Sequence, residues 1–199
     1  MQLFFNATSP YARKARVAVL EKGLAGRVTF VETDPWASPA ELVALNPLSK
    51  VPTLVTDTGA VVTESDGIIQ VLDMLGGHPY LLPPDGPARM ELLVRSGLCQ
   101  GLIDASFIAV IERRRPAAGQ WDDWVARQRS AVIRSLAHIA TSFVLSPARF
   151  DLGDIALACA LGYLDYRHPD LPWRQQYPAM AAWQDTADQR PSMIATSPN

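Results

Sequence analysis

Only two cysteines, Cys99 and Cys159, occur among the 199 residues, and they stand far apart with no C-x-x-C spacing. A disulfide framework and a thiol redox pair are thereby excluded, and both read as buried free thiols in a reducing compartment. Charge of one sign is also scarce: 18 Lys and Arg against 20 Asp and Glu leave a net charge of -2, so no basic field is present to hold nucleic acid or an anionic membrane. The histidines His78, His138 and His168 are scattered, two of them beside Pro79 and Pro169, and no His/Cys spacing suits a metal. There is no G-x-S-x-G elbow, no P-loop and no G-x-G-x-x-G after a strand, which removes most support for hydrolase and nucleotide-binding readings. The opening Gln2-Leu3-Phe4-Phe5 has no basic lead and no long apolar run. The expectation is a soluble cytoplasmic protein without signal peptide or membrane span, whose partner is small or another protein.

What is present falls into two halves. Leu3–Phe5 reads as a buried strand, Asn6 to Pro10 as a loop entering a helix with Pro10 in its first turn, and Gly23 as that helix's stop. Val28–Glu32 is β-branched and strand-like, which completes a βαβ unit and implies parallel pairing. A turn-rich loop at 34–38, a short helix at 39–45, strands at 53–56 and 60–63 around Asp57-Thr58-Gly59, and a helix at 67–75 capped by Ser65 or Asp66 follow. The Gly/Pro cluster from Gly76 to Pro87 marks the boundary. Beyond it the pattern is helical throughout: 88–115, then 120–145 with a stripe from Trp121 and Trp124 through Val125, Gln128, Val132 and Leu136 to Ile139. A core helix at 155–164 behind a capping box at Asp151 and Asp154, a helix at 178–189 and an irregular tail from Arg190 complete the chain.

The most informative stretch is Ser49-Lys50-Val51-Pro52-Thr53-Leu54-Val55, where a proline at a strand entrance removes a ladder donor. Two readings are open. Either a trans proline opens an edge strand, or a cis bond before Pro52 turns the main-chain N–H and C=O of Val51 outward, where an extended peptide docks. In a βαβ, α, ββ, α domain this stretch falls at the same end of the sheet as Thr8-Ser9-Pro10-Tyr11 and Glu64-Ser65, an arrangement that resembles the thioredoxin-like fold.

With Ser9-Pro10-Tyr11-Ala12, Asn46-Pro47, Lys50-Val51-Pro52, Glu64-Ser65, Asp151-x-x-Asp154-Ile155, Tyr177 to Trp183 and Arg190-Pro191-Ser192 in order, nearly the whole chain resembles a cytosolic glutathione S-transferase of bacterial type, with Ser at the active-site position. The resemblance implies an α/β plus all-α protein: a thioredoxin-like glutathione-binding domain over 1–77 with a mixed four-stranded sheet, a linker over 78–87, and an all-helical domain over 88–199 that contributes the electrophile site. It further implies that Ser9 stabilises the glutathione thiolate, that Val51 beside a cis Pro52 pairs with the cysteinyl unit, and that Lys50 reaches the glycyl carboxylate. Ser65 would take the γ-glutamyl carboxylate, Glu64 the amine, and Asp104 would approach that amine across a homodimer. Ser9 is equally an ordinary helix cap, Thr8 is a second hydroxyl in reach, Lys50 reads otherwise as a solvated lysine, and Ser65 as a cap. Tyr11, Trp36, Phe107 and Tyr163 are the candidates to line a site for a small hydrophobic electrophile. Gly97 and Gly101, one turn apart, permit close helix packing. The implied activity is glutathione transfer in detoxification, with glutathione as cosubstrate and no metal; the alternative is a non-catalytic relative that binds a ligand or a partner protein.

Overall fold

The first strand, buried on both faces from Leu3 to Phe5, organises the sheet. β1 (Gln2–Phe5) pairs in parallel with β2 (Thr29–Glu32), Leu3 opposite Phe30, and antiparallel with β3 (Thr53–Val55), Leu3 opposite Leu54. β4 (Val61–Thr63) closes the order β2-β1-β3-β4, a mixed four-stranded sheet. The computed structural model describes residues 1–198, in two compact units: Met1–Arg89 with the segment from Gln189, and Met90–Asp188.

In the first unit α1 (Pro10–Glu21) follows β1 with Ser9 as N-cap, and Gly23 ends it in the left-handed conformation (φ 65°) that an L side chain adopts only at a cost. α2 (Ala40–Leu45) precedes β3, and α3 (Ser65–Leu75) packs along α1. Phe4, Phe5, Ala12, Leu42 and Val51 form one buried cluster, so the strand, the first turn of α1, α2 and the loop before β3 share a core. Burying these side chains is worth about 1.5–3 kcal/mol for each large one, which fixes the loops at this end of the sheet. Two lysines of this unit are buried: Lys14 pairs with Asp66, and Lys22 donates to Asp73 Oδ1 at 2.9 Å and to the carbonyls of Gly77 and Pro79.

The last residues return to this unit. The expected irregular tail instead begins with α9 (Pro191–Ile194), initiated by Pro191 in its first turn, and the tail lies against α1. Arg190 donates to both carboxylate oxygens of Glu21 (3.0 and 2.7 Å), and Arg13 donates to Met193 O at 3.2 Å. The expectation placed 88–199 in the helical part; by contacts the segment from Gln189 groups with the first unit, where Arg190 meets Glu21 and Arg13 meets Met193.

The second unit contains α4 (Pro87–Glu112, most of its length), α5 (Asp122–Ser142), α6 (Leu152–Arg167), α7 (Trp173–Gln176) and α8 (Pro178–Asp188). α6 is buried on nearly every side, and its capping box is formed as expected: Asp154 N–H donates to Asp151 Oδ1 at 3.1 Å and Asp151 N–H to Asp154 Oδ2 at 3.2 Å. Arg95 of α4 binds the pair, at 2.5 Å from Asp151 and 3.2 Å from Asp154, and a Cβ at Gly153 would stand 2.6 Å from its guanidinium. The stripe expected along α5 holds only from Val125 onward. Trp121 is the N-cap, 60 % exposed and stacked on Trp124, because the helix begins one residue after it. Cys99 and Cys159 are buried free thiols. By length and composition α4 is the one helix among the described residues apolar enough to cross a membrane, although nine of its residues, Arg95 among them, are buried.

Candidate active site

Ser9 closes the loop after β1. Its N–H donates to Asn6 O at 3.1 Å, and its Oγ accepts the N–H of Ala12 at 3.2 Å, so it is the cap of α1. A serine hydroxyl has one proton and two lone pairs; capping uses a lone pair and leaves the proton. The neighbouring Thr8 hydroxyl is committed differently, donating to Asn6 Oδ1 at 2.8 Å, and its N–H reaches the same oxygen at 3.1 Å. Of the two hydroxyls at this helix start, Ser9's is the one with a proton to give to a ligand. The first amides of α1 add partial positive charge at the same place.

The Val51–Pro52 peptide is cis, and so is His78–Pro79, which nothing in the sequence marked out. The ladder with β1 ends at Phe4 opposite Thr53, so Val51 lies past the paired part of the strand while its side chain is held in the core with Ala12 and Phe5. Ala12 thus joins the two features: its N–H caps onto Ser9 and its side chain shares a cluster with Val51. Lys50, beside Val51, is exposed. Ser49 is held at φ 49° and donates to Pro35 O at 3.0 Å, which ties this loop to the turn Pro35–Ala37 that carries Trp36.

The third segment corrects the expected cap. α3 starts at Ser65, and its N-cap is Glu64, which makes no side-chain capping bond. Glu64 lies at φ 64°, ψ 130°, a region a non-glycine residue occupies only where its surroundings over-determine it. With Glu64 in that conformation and Ile68 N–H bonded to Glu64 O at 3.0 Å, the leading amides of α3 lack helical acceptors and project from its end, and Ser65 is buried among them. Lys14 of α1 holds Asp66, so the helix bearing Ser9 and the start of the helix bearing Ser65 are clamped together by charge. That link was not legible, since the two residues are 52 positions apart.

The remaining candidates are placed as follows. Tyr11 is half-buried in the first turn of α1, and Trp36 is 62 % exposed. In the second unit Phe107 is half-buried on α4 and Tyr163 is buried on α6, where burial pushes its hydroxyl pKa up to about 12. Asp104 accepts from Gln100 Nε2 at 3.0 Å along α4. Gly97 and Gly101 are exposed, and a Cβ at either would meet nothing within 4 Å. No group of three or more His, Cys, Asp or Glu suited to a metal ion exists among the described residues.

A hydroxyl proton at one helix start and the strand edge at Val51, joined by one core, stand with a second helix start that Lys14 and Asp66 tie to the first, a set suited to a short extended peptide with an anionic end and a thiol. Comparison with known proteins accords with this class. Residues 8–75 match the glutathione S-transferase N-terminal domain model and residues 122–185 the C-terminal domain model. An uncharacterized GST-like protein of Escherichia coli K12, YibF, is 32% identical over 100% of this chain and 98% of its own. A glutathione transferase family member from Pseudomonas fluorescens Pf-5, crystallised with bound glutathione, is 41% identical with a TM-score of 0.95, covering 100% of this chain and 98% of that one. A glutathione S-transferase from Methylobacillus flagellatus KT with glutathione bound is 33% identical with a TM-score of 0.91, over 100% and 99% of the two chains. The chain belongs to the glutathione S-transferase family.

Proposed function

We propose that the protein is a glutathione transferase that binds glutathione along the Val51 edge and activates its thiol with Ser9. The observation that carries this is the Ser9 hydroxyl: its capping bond from Ala12 uses an acceptor position and leaves its proton available for a ligand at the helix start. A free thiol near pKa ~8.5 is mostly protonated at neutral pH, and each unit of lowering corresponds to about 1.4 kcal/mol in favour of thiolate. The Ser9 O–H and the amides of α1 supply that preference. The thiol proton passes to solvent, the sulfur forms a bond to the electrophilic carbon, and the leaving group departs with its electron pair.

Binding is assigned residue by residue. Val51 pairs its main chain with the cysteinyl unit, Pro52 shaping that edge; Lys50 meets the glycyl carboxylate. The amides at Ser65 with its hydroxyl take the γ-glutamyl carboxylate, and Glu64 its amine. Glutathione bound in two of the similar structures supports this reading. The electrophile is small and hydrophobic, met on the first unit by Tyr11 and Trp36. The protein works in the cytoplasm as a homodimer in detoxification, and the exposed Met90, Leu93 and Val94 alongside Gly97 and Gly101 on α4 offer the face for a second copy.

Calorimetric titration with glutathione is the test. Saturable binding together with conjugation of an activated chloroarene is the expected result. Absence of binding overturns the proposal, and tight binding with no turnover across a panel of electrophiles favours a ligand-binding relative.

A further inference from the structure

Three hydrogen bonds from two buried side chains converge on the loop that carries Lys50 and Val51. Asn46, 1 % exposed, donates one amide hydrogen to Lys50 O at 3.1 Å and the other to Thr53 Oγ1 at 3.0 Å. Thr53, fully buried, passes its own proton to the same carbonyl at 2.8 Å. The acceptor side of Asn46 is used as well, by Leu48 N–H at 3.1 Å, and its main chain closes the loop through Ser49 N–H at 2.9 Å. Every hydrogen-bonding group of the Asn46 side chain is therefore spent on this one loop.

The consequence lies in the geometry of a peptide plane. The Lys50–Val51 bond is trans, and in a trans peptide the carbonyl and the following N–H point in opposite directions. Two donors hold Lys50 O toward the buried side. Val51 N–H is thereby held facing away from it. Without them the plane could rotate about the two torsions that flank it, ψ of Lys50 and φ of Val51. An edge that binds a peptide by main-chain bonds loses affinity when its own N–H must first be ordered.

We infer that Asn46 and Thr53 are positioning residues for glutathione, which through Lys50 O orient the Val51 N–H without touching the ligand. This rests on the assignment of glutathione to the Val51 edge made above.

The experiment compares glutathione binding by calorimetry, and KM against kcat with an activated chloroarene, in the full chain and in Thr53→Val, Thr53→Ser, Asn46→Ser and Asn46→Asp. Thr53→Val keeps shape and removes the proton; it is expected to weaken glutathione binding and raise its KM about tenfold, the effect of losing one buried hydrogen bond, with kcat at saturating glutathione kept within about twofold. Thr53→Ser restores the parent values. Asn46→Asp, which sets a carboxylate against Lys50 O, weakens binding further than Thr53→Val. Ile139→Val, in the core of the helical unit, lowers the melting midpoint and leaves KM alone. If Thr53→Val does not fold, Asn46→Ser, which removes both amide donors, carries the same expectation. Unchanged binding in a folded Thr53→Val or Asn46→Ser, or a fall in kcat at constant KM, overturns the inference alone. Absence of binding by the parent overturns the transferase reading and this inference with it.

Discussion

Lys14 and Asp66 form an ion pair between the first and third helices, with the lysine side chain fully buried and the aspartate 34 % exposed. One residue before Asp66 is Ser65, and five residues before Lys14 is Ser9, so the pair sets the distance between two proposed halves of the glutathione site. Lys14→Met leaves Asp66 without that counter-charge. The expected cost is about 3 kcal/mol, the low end for breaking a buried pair because the stranded carboxylate keeps some water. Urea unfolding checks the stability, and glutathione titration of the same variant is expected to show weaker binding.

Ser9→Ala separates the two duties of the hydroxyl. Loss of the cap costs about 1 kcal/mol in stability, while the loss of a donor to sulfur raises the pKa of bound glutathione by about one to two units. Thiolate absorbance against pH reads the second effect. An unshifted thiol pKa with unchanged conjugation would remove Ser9 from the chemistry and leave it a cap.

His168 makes the helical unit sensitive to acid. Its Nε2 lies 3.0 Å from Ser106 O, which requires the proton on that nitrogen, and Nδ1 is buried with no hydrogen-bond partner among the described residues. Burial pushes its pKa down, against the pull of the Ser106 carbonyl and of Asp170 and with the push of Arg129 and Arg113. The unfolded chain therefore takes up a proton near pH 6.5 that the folded chain refuses, so the contribution is complete above about pH 6.5 and is lost as pH falls below it. The urea midpoint is expected to fall between pH 7 and pH 5, and His168→Gln, which keeps a donor for Ser106 O, flattens that fall.

Arg190→Ala tests the fastening of the tail. Burial raises the Glu21 carboxyl, but the hydrogen bonds from Arg190 and Ser192 more than offset this and hold it below its usual range. A depressed carboxyl stabilises the fold above its unfolded value of about 4.5 and ceases to do so as pH falls through the folded value. Removing Arg190 is expected to cost about 1–2 kcal/mol at neutral pH, with a smaller difference from the parent in acid, read by thermal melting at pH 7 and pH 4.

These charged pairs also mark where sequence reading stopped. The βαβ start, Gly23 as a helix stop, the capping box at Asp151 and Asp154 and the edge at Val51 all rest on local rules of backbone geometry, which neighbouring residues suffice to show. Lys14, Lys22 and Arg95 look like solvated helix charges until a partner brought by folding buries them. Glu64 took the cap position from Ser65: at φ 64° it precedes a helix that already includes Ser65, a conformation no residue type at 64 announces. Asn46 stood in the sequence as part of the Asn46-Pro47 motif, and its amide bonds to Lys50 and Thr53 lie beyond any periodicity.

The contacts of Glu21 with Arg190 and of Arg13 with Met193 have a consequence for the order of synthesis. A ribosome releases the sheet and its first three helices long before residue 190, yet the partners named here for Glu21 and Arg13 of α1 emerge only after the whole helical unit. The first unit therefore completes itself last. Cutting the chain at the Gly/Pro linker yields a fragment that lacks part of its own structure, and nascent chains stalled before Arg190 are expected to hold this unit in a looser, protease-sensitive form until the tail arrives.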